Sequence, residues 1–294
     1  MTTVAPIPKP FGILPFDLVN VTLDIIAAHH LGLRSLRQCA LVCKAWLDLC
    51  RPRIWANLSI YACVGCGVST ATLQNRISLG RFSVILHQRE DIGKLIRHID
   101  YHERILCAHQ SHETPIPLFH VLQHISNLSS FSLYVFKPVR AVRKQQIFGL
   151  EFSSLCARTI TRLDLHFSTK IRFPLSFVLH NAANLKKLYI HCVESLDTLN
   201  PQSTAETLRL EEFGFLCNQP RVFGTLMAAN RNNGTPAIDF TALEKASIAI
   251  YDEQKFDIFR PLFERSQHLV ELELSCEFSK ILFSRIQHTH SFIL

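Results

Sequence analysis

The six residues ITRLDL, 160–165, carry apolar side chains at their first, fourth and sixth positions. Over the last three the pattern alternates, with Leu163 and Leu165 facing one way and Asp164 the other, which is the period of a β-strand. The same apolar-x-x-apolar-x-apolar order returns in IRHIDY (96–101), LSSFSL (128–133), LKKLYI (185–190), AETLRL (205–210), LEKASI (243–248) and LVELEL (269–274). Starts lie 20 to 38 residues apart, and self-similarity at such a period marks stacked supersecondary units. Between them run helix-like stretches such as PLFHVLQHIS (117–126), PLSFVLHNAAN (174–184) and FDIFRPLFERSQH (256–268). Strand then helix, repeated, predicts an α/β chain whose parallel sheet lines a curved solenoid. An irregular α/β sandwich is the alternative.

The alternation also nominates a surface. In LKKLYIH, Leu188 and Ile190 turn to the core, so Tyr189 and His191 turn out. The same step selects Asp100, Ser132, Asp164, Arg209, Ser247 and Glu273, with His102, Tyr134, His166 and Glu211 as neighbours. These form a mixed polar, aromatic and charged face. A merely solvated face of a sheet shows the same alternation. After Leu274 the tail CEFSKILFSRIQHTHSFIL is apolar and has room for one helix, either an improvised cap or the end of a shortened array.

Upstream the period changes from two to that of a helix. ILPFDLVNVTLDIIAAHH (13–30) opens with Pro15 and Asp17, which suit a first helical turn. LGLRSLRQ (31–38) makes a short second helix with Leu33 and Leu36 on one side. In QCALVCKAWLDLCRPRIW (38–55), Val42, Ala45, Trp46 and Leu49 share a helical stripe flanked by Cys39, Cys43 and Cys50, and Pro52 is expected to end the helix. Three short helices make a core too small to stand alone, so a partner or the following domain should stabilise it.

Leu14-Pro15-x-Asp17-Leu18, then Leu36, then Leu41-Val42-Cys43-Lys44-x-Trp46, then Arg51 and Trp55, resembles the F-box pattern. The resemblance spans about residues 11–60, and the link AAHHLGLRS is longer than the pattern expects. It implies docking onto a Skp-family adaptor and, through it, a cullin, with Leu14, Pro15, Leu18, Leu36, Val42 and Trp46 facing the adaptor or shaping that face. The repeats resemble the irregular leucine-rich repeats that often follow an F-box, in spacing rather than in the asparagine or cysteine consensus position. The expected organisation is a leader (1–10), an F-box-like helical domain (11–60) and an irregular leucine-rich-repeat-like domain (61–294).

Bulk composition narrows the classes. At 48% hydrophobic and 19% charged, the 294-residue chain can bury a large core. MTTVAPIPKPFG lacks the apolar centre of a secretory signal, and the uncharged run 54–75 is interrupted by Asn57, Ser59, Ser69, Thr70, Thr72 and Gln74. A cytoplasmic or nuclear protein without a membrane span is expected, whose ten scattered cysteines are thiols. Net charge is +7, but its densest cluster, KPVRAVRKQQ (137–146), has no aromatic for stacking bases, which disfavours nucleic acid.

Catalytic and metal signatures are weak. CVGC (63–66) has no second ligand pair for zinc. His98, His102, Cys107, His109 and His112 cluster without metalloprotease spacing, and GCGVST (65–70) lacks the lysine of a phosphate loop. The expectation is a non-enzymatic receptor subunit with no cofactor, which holds an unknown protein client for ubiquitination. Its face residues are Asp100, Ser132, Asp164, Tyr189, His191, Arg209, Glu211 and Glu273. The rivals are a leucine-rich-repeat scaffold or nucleic-acid-associated protein without a ligase role, and a metalloenzyme built on the histidine cluster.

Overall fold

The structure, a computed structural model, describes residues 16–29, 32–61, 76–104, 118–136, 159–167, 172–173, 182–191, 195–196, 207–217, 220–230, 234–250, 257–276 and 289–293. The chain divides into two compact units, residues 1–56 and 57–294. The expected boundary at residue 60 falls inside a strand, because Asn57–Tyr61 belongs to the sheet of the second unit.

In the first unit, helices α1 (Phe16–Ala28), α2 (Gly32–Ala40) and α3 (Lys44–Ala56) enclose Leu23, Leu36 and Cys50. Val19, Ile26, Leu33, Trp46, Leu49 and Ile54 pack around these three at their edges. Two local expectations fail. Val42 is in the turn between α2 and α3, where its N–H donates to the Cys39 carbonyl, so it does not share a helical stripe with Trp46. Pro52 lies inside α3 instead of ending it. The next residue, Arg53, ties this part of α3 to α1. Its guanidinium donates to Asp24 Oδ1 (2.7 Å) and the Leu49 carbonyl (2.7 Å), and reaches the Asn20 carbonyl (3.3 Å), clamping α3 to α1.

The second unit is α/β, with nine parallel strands and one antiparallel strand in a single sheet. The strands are β1 (Asn57–Tyr61), β2 (Arg76–Ser78), β3 (His98–Arg104), β4 (Ser130–Phe136), β5 (Arg162–Phe167), β7 (Lys187–His191), β10 (Glu212–Leu216), β12 (Lys245–Ile250), β13 (Glu271–Cys276) and β14 (Thr289–Ile293). Spatial order is β2-β1-β3-β4-β5-β7-β10-β12-β13-β14, so β1 lies between β2 and β3, and from β4 onward each strand of this sheet lies beside the sheet strand that precedes it in the chain. Two accessory pairings stand apart: β6 (Arg172–Phe173) with β8 (Ser195–Leu196), and β9 (Leu208–Arg209) with β11 (Ile238–Asp239). Between strands come α4 (Leu79–Gln88), α5 (Glu90–Gly93), α6 (Leu118–Leu122), α7 (Pro220–Met227) and α8 (Arg260–Arg265). Among the described residues no helix is long and apolar enough to cross a membrane.

One hydrogen-bond motif sets the register. The Arg97 carbonyl accepts from the N–H groups of both Ser129 and Ser130. Ser129 accepts in the same way from Thr161 and Arg162, Thr161 from Lys186 and Lys187, and Lys186 from Glu211 and Glu212. Glu211 continues to Glu244 and Lys245, and Glu244 to Val270 and Glu271. Directly before each of these carbonyl residues sits a buried apolar side chain: Ile96, Leu128, Ile160, Leu185, Leu210 or Leu243. A buried anchor, a doubly accepting carbonyl and a strand thus recur as one unit.

The inward positions then align across the sheet. Ile99, Phe131, Leu163, Leu188, Phe213 and Ala246 make one buried row, and Tyr101, Leu133, Leu165, Ile190, Phe215 and Ile248 the next. Phe223 of α7, with Phe240 and Phe259, packs on Phe213 and Phe215, with centroid separations of 4.6 to 6.4 Å. Such clusters add edge-to-face attraction to the area they bury.

One sequence assignment needs correction, and the tail adds an element that its composition did not announce. The main-sheet strand after β7 is not AETLRL but the overlapping LEEFGF (210–215), because Phe213 and Phe215 reach the core while Leu208 pairs across to Ile238. The C-terminal tail, read as having room for one helix, carries β14 near its end, which pairs antiparallel with β13 and satisfies an edge that would otherwise be bare. Residues 277–288, CVGC at 63–66, KPVRAVRKQQ, and Cys107, His109 and His112 lie outside the described residues.

Gly32 tests the packing of the helical unit. Its N–H donates to His29 O (2.8 Å), and a Cβ at this position would overlap the Ile26 carbonyl oxygen. Because that neighbour is backbone, Gly32→Ala should destabilise the first unit by about 2 kcal/mol. Urea denaturation followed by tryptophan fluorescence measures the change through Trp46 and Trp55.

Candidate functional site

The outward side chains of the sheet form three rows. The first runs Asn57, His98, Ser130, Arg162, Lys187, Glu212, Lys245 and Glu271. The second holds Ser59, Asp100, Ser132, Asp164, Tyr189, Gly214, Ser247 and Glu273, with Arg76 of β2 in register at its end; the third holds Tyr61, His102, Tyr134, His166, His191 and Leu216, with Ser78 of β2 in register beside Tyr61.

Five rings of the third row stack face to face across five strands. Tyr61 to His102 and His102 to Tyr134 are both 4.5 Å between centroids, Tyr134 to His166 is 4.3 Å, and His166 to His191 is 3.8 Å. Interplanar angles do not exceed 20°. Parallel in-register strands impose this spacing on any column of flat side chains. All five rings are half-buried, so each stack leaves ring edges toward solvent.

Beside the ladder the carboxylates are held individually. Asp100 Oδ1 lies 2.8 Å from His98 Nε2. Burial works to raise the Asp100 pKa, but the bonds from His98 and Ser132 outweigh it and hold the carboxyl below its ordinary range. Asp164 pairs with Arg162 at 3.0 Å and is buried. Glu212 accepts from Lys187 and from Tyr189 Oη (2.8 Å). Burial opposes its ionisation, yet those donors keep its pKa low. For Tyr189, burial and the Glu212 carboxylate both push the pKa far up, so its hydroxyl remains a donor. Arg162 Cζ stands 5.1 Å from the Tyr189 ring centroid, within cation–π range.

Gly214 explains how the Tyr189 ring lies. A Cβ there would overlap Tyr189 Cδ1, so the absent side chain is the space the ring occupies.

Of the residues nominated from sequence, Asp100, Ser132, Asp164, Tyr189, His191 and Glu273 do share this face. Ser132 and Asp164 are buried in it, and fasten the surface instead of presenting themselves. Arg209 and Glu211 are not in its rows. Arg209 belongs to β9 and pairs with Asp239 at 3.8 Å, while Glu211 precedes β10 and binds Lys186 at 2.6 Å. Tyr61 and Glu212 were missed; Tyr61 lies at the start of the repeat domain, ahead of the first quoted repeat, and Glu212 in the shifted strand.

The first unit offers a different surface. Phe16, Leu18, Val21, Ile25, Leu41, Val42 and Leu47 are exposed; among the described residues only Val84 and Val270 join them as exposed large apolar side chains. A shallow depression lined by Ile25, Ile26, Ala28, His29, Gly32 and Ser35 adjoins them. Of the adaptor-facing candidates, Leu18 and Val42 are exposed at 54% and 71%, Trp46 is half-buried on the core, and Leu36 is fully buried. Leu36 therefore shapes the unit from within, and Leu14 and Pro15 lie outside the described residues.

No protein-family model matches the chain, and no curated protein matches it. Among the described residues no group of three or more histidine, cysteine, aspartate or glutamate side chains has the arrangement to hold a metal ion.

Two outcomes are expected from the ladder. Burial, with His166 beside it, pushes the His191 pKa down to about 4, and burial also lowers His166. The unfolded chain takes up protons on these imidazoles near pH 6.5 while the folded chain resists them. Stability should therefore be level above about pH 7 and fall, by on the order of 1 kcal/mol, between pH 7 and pH 5. Urea titrations of wild type and His191→Gln check this, the variant losing the smaller amount. Separately, Gly214→Ala should displace the Tyr189 ring and break its bond to Glu212, seen as a lowered tyrosine pKa in an ultraviolet pH titration.

Proposed function

We propose that this chain is the substrate-recognition subunit of a Skp–cullin–F-box ubiquitin ligase, docking the adaptor through α1–α3 and a protein client through the outward face of the sheet. The observation that carries the reading is the concentration, among the described residues, of seven exposed large apolar side chains on a unit whose described core has three fully buried ones. Exposed apolar patches of that kind mark interaction surfaces. The ordered F-box-like motif in the same helices points to the adaptor as the partner. Stacked, evenly registered strand units support the leucine-rich-repeat-like reading of residues 57–294, with a broad polar face for the client.

In this reading the chain makes no covalent bond. It raises the effective concentration of the client near the transferring enzyme, and positioning is its whole contribution to rate. Affinity for the adaptor comes from apolar burial, and discrimination among clients from the polar and aromatic rows.

Adaptor retention tests it. Full-length wild type should be retained by an immobilised Skp-family adaptor, and Leu18→Glu with Val42→Glu should lose retention by at least about tenfold. Both positions are exposed, so the circular dichroism spectrum should not change. No retention of wild type, or equal retention of the double variant, overturns the reading in favour of a scaffold.

A further inference from the structure

The outward face of the sheet is balanced in permanent charge. Arg162, Lys187 and Lys245 pair with Asp164, Glu212 and Glu271. Register adds Arg76 and Arg104 to the outward positions, against Asp100 and Glu273. Five cations thus meet five carboxylates among the described residues. What can tip that balance is histidine, whose ordinary charge change falls between pH 5 and 8. Four imidazoles share the face, and their surroundings divide them into two pairs. His98 and His102 flank Asp100 on β3, with His98 Nε2 2.8 Å from Asp100 Oδ1 and the uncharged Asn57 and Ser130 beside His98 in register. His102, followed on its strand by Arg104, stands between the rings of Tyr61 and Tyr134, 4.5 Å from each, and a ring face attracts a cation. His166 and His191 instead face each other at 3.8 Å, so a proton on one repels a proton on the other. Asp164 neighbours His166 on β5, while Tyr189 and Leu216 neighbour His191. Burial holds this second pair low, His191 at about 4.

We propose that the outward face is a pH-switched surface, balanced while His98 and His102 are neutral, and cationic and able to take an acidic segment of the client once they are protonated. This rests on reading the sheet face as the client surface, and it adds the regulation of that site. Two protons on β3 give an excess of one sign to a face that otherwise has none. Both imidazoles are half-buried, so their charge is screened less than at an open surface and pulls harder on a carboxylate of the guest. Glutamate side chains titrate near pH 4.3 and stay ionised at pH 5.5. Host and guest therefore carry opposite charges over a window between the two titrations. His166 and His191 take up protons after that window has opened, because each opposes the other and both are buried.

Fluorescence anisotropy of the full chain with labelled peptides, at pH 7.5 and pH 5.5 and one ionic strength, tests this. The probes are a Glu-Gly-Ser repeat of about twelve residues and a Gln-Gly-Ser repeat of equal length. From pH 7.5 to pH 5.5 the glutamate peptide should gain about fivefold or more in affinity, and the glutamine peptide should not. His98→Gln with His102→Gln should remove most of that gain. His98→Lys fixes one cation in place and should tighten the glutamate peptide already at pH 7.5, flattening its pH profile. His87→Gln with His124→Gln removes as many imidazoles from α4 and from the turn after α6, and should leave the gain intact. No gain in acid, the same gain in the His98 and His102 double variant, an equal loss in the His87 and His124 variant, or an unaltered profile in His98→Lys overturns the proposal. Adaptor retention at pH 7.5 on the same preparations separates the two readings, since the β3 substitutions lie outside the helical unit.

Discussion

A carbonyl that accepts two successive amide protons from the next unit is the constraint from which the second unit follows. The bond pair from Ser129 and Ser130 to Arg97 recurs through Ser129, Thr161, Lys186, Glu211 and Glu244. It fixes each strand against its predecessor before any side chain is considered. With register fixed, inward positions can only meet inward positions, and the buried rows of leucine, isoleucine and phenylalanine become continuous. The spacing between linked units is not constant: side-chain contacts that cross the junctions span 32, 25 or 26 residues. The crossover absorbs the difference, because its length does not enter the strand-to-strand geometry.

The same register manufactures the outward face. Flat side chains at equivalent positions of parallel strands have no choice but to stack, and residues of opposite charge one strand apart come into pairing distance. Lys187 meets Glu212, and Lys245 meets Glu271, because each pair is one unit apart. The two halves of the sheet differ in chemistry for this reason alone: rings fill one column from β1 to β7, and ion pairs fill another from β5 to β13.

Much of this was legible in the chain. The apolar-x-x-apolar-x-apolar pattern located β3, β4, β5, β7, β12 and β13, since a strand half-buried on one face must alternate. It misplaced β10 because AETLRLEEFGF (205–215) contains two overlapping matches, and the volume of Phe213 and Phe215 against α7 decides between them. The sequence marked His102, Tyr134, His166 and His191 as neighbours on one face, but stacking is a property of register across strands, which no local window carries. The Arg53 clamp of α3 onto Asp24 and Asn20 was unreadable for a related reason, since it acts over some thirty residues. β14 escaped notice because what selects it is the open edge of β13, not its own composition.

The ring ladder also has a pitch, and pitch sorts ligands by their backbone geometry. Neighbouring rings are 3.8 to 4.5 Å apart, whereas a fully extended chain advances about 3.4 Å per residue. Laid across the strands, an extended guest soon drifts out of phase with its host. A left-handed polyproline helix advances about 9.3 Å per three-residue turn, close to two strand spacings. If the face holds a client as proposed, such a helix would bring every third residue back toward the same kind of foothold, and the sheet would serve as a ruler for helical rather than pleated guests.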